Sequence, residues 1–142
     1  MPAESRWLPE VRTMLVSHHG RVTVDDLRAT DRDVFLRCEG QGPDVRYLGD
    51  FRGCQIEMTK EEVLEHAVWM NDFRPWDRIP GFRVAVVFDV PLETALAMLF
   101  RMRTTKYHLE IFSSVEGAWD FLELDHELLS LHEDFLRGKS RP

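Results

Sequence analysis

Cysteine is scarce in this chain: Cys38 and Cys54 are the only two among 142 residues. They form no CxxC pair and no zinc-ligand spacing, and small secreted domains carry more cysteines at regular intervals. Reduced thiols are the expectation, with a single Cys38–Cys54 disulfide as the open alternative. Long apolar runs are missing too. The longest, Ala95 to Phe100, is far short of the roughly 20 residues that span a bilayer. Met1 to Trp7 carries no apolar segment of the secretory type. The chain is therefore expected to be cytoplasmic, with no integral membrane segment. Positive charge is also in deficit: 18 Lys and Arg stand against 25 Asp and Glu, a formal net charge of −7. That argues against a nucleic-acid partner or an anionic membrane surface, both of which need a basic face. The one local basic cluster, Arg101, Arg103 and Lys106, reads as a solvated helix end.

Motifs that carry chemistry are lacking as well. There is no GxSxG elbow, and Gly49-Asp50-Phe51-Arg52-Gly53 fits neither phosphate-loop pattern. His18 and His19 are adjacent and point apart on a strand; His126 and His132 are not at the i, i+4 spacing of a helical metal pair. His66 follows Glu62 by one helical turn and reads as a surface contact. Paired acids at Asp25-Asp26 and Glu61-Glu62 sit at helix starts, where the helix dipole accounts for them. No catalytic residue, metal or cofactor is assigned.

What is present is ordinary globular composition, 44% hydrophobic and 30% charged, in a length that suits one domain. Trp7-Leu8 and Val11 to Ser17 flank Pro9-Glu10 as a β-hairpin. Thr23 caps a helix that runs to about Cys38, and Glu39 to Pro43 ends it. Val45 to Phe51 and Phe82 to Phe88 read as strands, the second apolar enough to be buried on both faces. Thr59 to Glu62 is a capping box that opens a helix bearing Val63, Ala67 and Met70. Phe73 to Gly81, with two prolines and Trp76, is a loop. Leu92 to Met102 is a helix led by Pro91, Leu109 to Phe112 a short strand, and Ser113 or Ser114 caps a helix from Val115. Strands preceding helices three times over predict βαβ units and a mainly parallel sheet of α/β class, with the hairpin as an antiparallel edge.

The order of these segments resembles the STAS-like proteins. The resemblance rests on Gly20 with Val22-Thr23, on Tyr47 to Gly53, on Arg83 to Val87 with Asp89, on the Leu92–Met102 helix, and on Ile111-Phe112 with Glu116, Ala118 and Trp119. It covers about residues 7–123 and leaves 124–142 as a helical C-terminal extension of a single domain. It implies a mixed four- to five-stranded sheet with helices packed on it. The family includes anti-anti-sigma factors, phosphorylated on a hydroxyl that opens a helix, and a bacterial branch often grouped with CRAL-TRIO lipid carriers. It therefore implies either a phospho-regulated switch or carriage of a hydrophobic ligand.

The resemblance places Thr59 at the phosphoacceptor position, with Asp50 and Gly53 matching the start of the switch motif. Met58 and Lys60-Glu61-Glu62 depart from it. The complete capping box gives Thr59 a purely structural role as well, and Glu62 would repel a phosphate.

Two apolar surfaces remain. On a helical wheel Leu92, Ala95, Leu96, Leu99 and Met102 form one face, with Met98 and Phe100 flanking it, an arc of about 200° against the roughly 100° that covers a sheet. A neighbouring helix, a small apolar ligand bound by Leu92, Leu96, Met98, Leu99, Phe100 and Met102, or a regulatory protein partner would cover the excess. Beyond Val115, Ala118, Trp119 and Leu122, a second stripe runs through Leu124, Leu128, Leu131 and Phe135. Either the helix breaks near Asp125 and folds back, or the stripe is a homodimer interface. The functional expectation is a non-enzymatic regulatory or binding domain, with the Thr59 switch and an enzyme of undetected site as alternatives.

Overall fold

The structure is a computed structural model that describes residues 3–73, 79–104 and 107–137. The centre of the Phe73–Gly81 loop, with Trp76, lies outside the described residues, as do Lys106 and residues 138–142. Five strands form the main sheet in the order β1 (Ala3–Leu8), β2 (Thr13–His18), β4 (Arg46–Asp50), β6 (Arg83–Val87), β7 (His108–Phe112). β1 pairs antiparallel with β2, and every other neighbour is parallel. The hairpin turn is the 3-10 segment Pro9–Val11, closed by Arg12 in the left-handed region at φ 46°. The strand begins earlier than the sequence suggested, at Ala3.

Helices α1 (Val24–Cys38), α2 (Lys60–Asp72) and α3 (Pro91–Arg103) fill the three crossovers. The parallel strands are laid down in one direction across the sheet, so right-handed crossovers bring all three helices to the same face. Strand alternation then sorts the core into two layers. Met14, Val16, Tyr47, Val84 and Val86 face α1–α3, while Leu15, Leu48, Ala85 and Val87 face the other way. That second layer is closed by α4 (Val115–Phe121) and α5 (His126–Arg137), with Trp119 fully buried at its centre.

Two short strands went unforeseen. β3 (Arg21–Thr23) and β5 (Gln55–Glu57) pair in parallel as a separate ribbon at the starts of the first two crossovers. The C-terminal helix breaks. Glu123 adopts φ 58°, Trp119 Nε1 donates to the Asp125 carbonyl at 2.8 Å, and Asp125 Oδ1 accepts from the Glu127 N–H at 2.8 Å. α5 therefore folds back on the domain. Arg52 fixes its far end: the guanidinium forms a bidentate pair with buried Asp50, at 3.0 Å for each bond, and also donates to the Leu136 carbonyl at 3.2 Å. Cys38 and Cys54 are both buried and are not joined in a disulfide.

Candidate functional site

A cavity of about 100 Å³ lies between the sheet and helices α1–α3 and opens to the surface. Its floor is Tyr47, Val84 and Val86, continued by Phe51 and Phe88 just past the strand ends. Gly49, between Tyr47 and Phe51 on β4, leaves room for their rings: a Cβ there would meet Tyr47 Cε1 at 3.0 Å. Phe51 and Phe88 stack at 4.7 Å between ring centroids. The walls come from Leu27, Asp31 and Phe35 of α1, Val63, His66 and Met70 of α2, and Leu96, Ala97 and Phe100 of α3. Small-molecule sites have this makeup, an apolar concavity with a few placed polar groups.

The polar groups are few and buried. His66 Nε2 lies 3.2 Å from Asp31 Oδ2, and the imidazole stacks against both Trp69 and Phe100. Glu93 enters from the first turn of α3, and its Oε1 accepts the Ile56 N–H of β5 at 2.9 Å. His66 Nδ1 and Glu93 Oε2 are buried with no hydrogen-bond partner among the described residues. Burial, reinforced by the charge of Asp31, raises the Tyr47 hydroxyl well above the ordinary tyrosine range, so it stays protonated. Among the described residues no three His, Cys, Asp or Glu side chains converge to hold a metal ion.

The inward face of α3 differs from the one its hydrophobicity predicts. Leu96 and Phe100 of the expected ligand-binding set do line the cavity. Leu92, Met98 and Met102 point outward, at 71%, 52% and 78% exposure, and Leu99 is only partly buried and does not line it. The helix is turned so that Glu93, Ala97 and Phe100, at i, i+4 and i+7, face the core. The Glu93 bond to Ile56 and the Phe100 contact with His66 hold that orientation. The excess apolar arc therefore lies on the outside of α3.

His66 is likewise buried, contrary to its reading as a surface partner of Glu62. Glu62 instead completes the cap at Thr59: Thr59 Oγ1 accepts from the Glu62 N–H at 3.1 Å, and Glu62 Oε1 accepts from the Thr59 N–H at 2.9 Å. Thr59 is exposed at the start of α2. Of the C-terminal stripe, Leu124 is buried in the second core and Leu128 and Phe135 pack against it, while Leu131 is exposed.

Asp31, His66 and Glu93 escaped the sequence reading, although two of them carried a signal. Asp31 stands midway between Leu27 and Phe35 at four-residue steps, and His66 between Val63 and Met70. A titratable residue inside an apolar helical stripe is directed at the core.

No family model matches the chain, and no curated protein matches it. Among solved structures it is similar to an uncharacterized protein of the DUF3478 family with a SpoIIAA-like fold, from Shewanella loihica PV-4. That likeness runs at 16% identity and a TM-score of 0.49, over 78% of this chain and 83% of the other. It is a likeness of fold, a mixed α/β sheet with helices packed on it, and it bears on no residue of the cavity.

Proposed function

We propose that this chain is a non-enzymatic binding domain that holds a small, largely apolar molecule between α1–α3 and the sheet. The observation that carries this is the cavity itself, aromatic and aliphatic on most of its wall, with polar atoms on buried Glu93 and His66 that find no partner among the described residues. A neutral solvatochromic dye such as Nile red tests it. Saturable fluorescence enhancement is expected from the intact chain. Leu96→Trp, which fills the cavity from α3, is expected to remove it at unchanged helix content. Enhancement that survives this substitution would place the dye elsewhere and sink the proposal.

A second reading keeps Thr59 as a phosphoacceptor. It is supported by the exposure of Thr59 at the head of α2, the helix that carries His66 and Met70 into the cavity wall. The competing role is the cap alone. Thr59→Ala is expected to lower stability by about 1 kcal/mol through the lost cap. The switch additionally requires a phosphorylated Thr59 peptide in protein from its native cells; a consistently unmodified peptide there would leave only the cap.

A third surface suits a protein partner or a second copy: the outward side of α3, where Leu92, Met98 and Met102 are exposed. A doubled mass in light scattering, lost on Leu92→Glu with Met102→Glu, is the result that reading needs.

A further inference from the structure

Resting on the cavity reading above, we infer that the preferred ligand carries a positive charge: an amine-bearing apolar molecule whose ammonium group pairs with Glu93. Three observations converge on this. The first is sign. Two carboxylates, Asp31 and Glu93, line the cavity, and no lysine or arginine does so among the described residues. The guanidinium groups of Arg28 and Arg32 lie over Trp69, a residue outside the lining.

The second is valence. Glu93 is 8% exposed, and only one of its oxygens is used, by the Ile56 N–H. Oε2 is buried without a partner among the described residues, which is a costly state for a carboxylate oxygen. Ionised, that oxygen only accepts, so the missing partner is a donor, and an ammonium supplies both donor and countercharge. Asp31 is already engaged by His66, so Glu93 is the carboxylate left to take the contact.

The third is the wall. Phe51, Phe88, Phe100 and Tyr47 line the same space. Aromatic faces attract organic cations and accept hydrocarbon equally well. A carboxylate-headed amphiphile such as a fatty acid would meet repulsion from Asp31 and Glu93, with no lysine or arginine among the described lining residues to offset it. A neutral ligand would fit the wall but leave Glu93 without its counterion.

Hexylamine, hexanol and hexanoate have the same chain and differ in the charge of the head at neutral pH. In titration calorimetry on the intact protein, hexylamine is expected to bind at least roughly tenfold more tightly than the other two, the effect of one charge-assisted hydrogen bond. Glu93→Gln keeps the oxygen that accepts from Ile56 and removes the charge. It is expected to abolish the preference for the amine while leaving hexanol binding unchanged. Leu96→Trp, which does not touch Glu93 chemistry, is expected to remove binding of all three. Equal binding of hexylamine and hexanol would overturn the cation inference and leave the apolar cavity standing. Tightest binding of hexanoate would do the same. An amine preference that persists in both variants would assign it to the acidic surface and overturn the role of Glu93. Failure of all three probes to bind would overturn the cavity reading and this inference together.

Discussion

His66 Nε2 sits 3.2 Å from Asp31 Oδ2, joining α2 to α1 within the cavity wall. Both side chains are almost wholly out of water. Each satisfies the other, so removing one strands its partner. Asp31→Ala and His66→Ala are each expected to destabilise the fold by about 1–3 kcal/mol. The double variant should lose less than the sum, with a coupling above about 0.5 kcal/mol in a denaturant-based mutant cycle. Additive losses would mean that the contact contributes nothing.

The Asp50–Arg52 pair has a different purpose, since Arg52 also reaches the Leu136 carbonyl. It ties the end of a central strand to the last turn of α5. Burial alone would lower the Arg52 pKa, but the hydrogen bond and charge of Asp50 outweigh it and raise it. Arg52→Met is expected to cost about 3 kcal/mol, as broken buried pairs do. Hydrogen exchange should then speed up first in α5, and uniform loss across the chain would contradict the tether.

Acid should weaken the same face by another route. Arg6 Nη1 donates to His132 Nδ1 at 3.0 Å, joining β1 to α5. Burial and then the Arg6 charge hold the His132 pKa below its ordinary value. An unfolded histidine takes up its proton near about pH 6.5, while the folded ring resists, so acidification favours the unfolded chain. This contribution is present above about pH 6.5 and is lost as the pH falls through the folded pKa. Melting temperature followed from about pH 7.5 to 5.5 should fall, and Arg6→Ala should flatten that slope. An identical slope in the variant would remove His132 from the account.

Neither thiol should react while the chain is folded. Burial pushes the Cys38 pKa up to about 12, and Cys54 Sγ donates to the His18 carbonyl at 2.9 Å. Thiolate is the reactive form, so an aromatic disulfide reagent should titrate both only after denaturant is added. Rapid reaction of the native protein with either thiol would show that the core opens readily.

Much of this architecture is legible in the chain. Val45 to Phe51 and Phe82 to Phe88 are apolar enough that only a buried strand suits them, and they became β4 and β6 with ends trimmed by one residue. β3 and β5 are different: Arg21-Val22-Thr23 and Gln55-Ile56-Glu57 each hold a single strongly apolar residue, too little for any periodicity. The site was less legible for a related reason. Wheel reasoning ranks the faces of α3 by hydrophobicity and so turns Leu92 and Met102 inward. The actual rotation is set by Glu93 meeting the Ile56 N–H, a partner 37 residues away. The Asp31–His66 contact spans 35 residues and is equally invisible to local pattern. The break at Asp125 could be posed but not decided, because only the packed second core shows where Leu124 and Leu129 go.

The division of the core into two layers also sets an order on biosynthesis. The helices that cover Met14, Tyr47 and Val84 are encoded before β7, whereas Leu15, Leu48, Ala85 and Val87 await α4 and α5. A chain emerging from the ribosome therefore completes one side of its sheet while the other is bare, for as long as residues after Val115 are untranslated. Nascent chains stalled in that window would present a flat apolar sheet face to chaperones, and C-terminal truncation would make that transient state permanent.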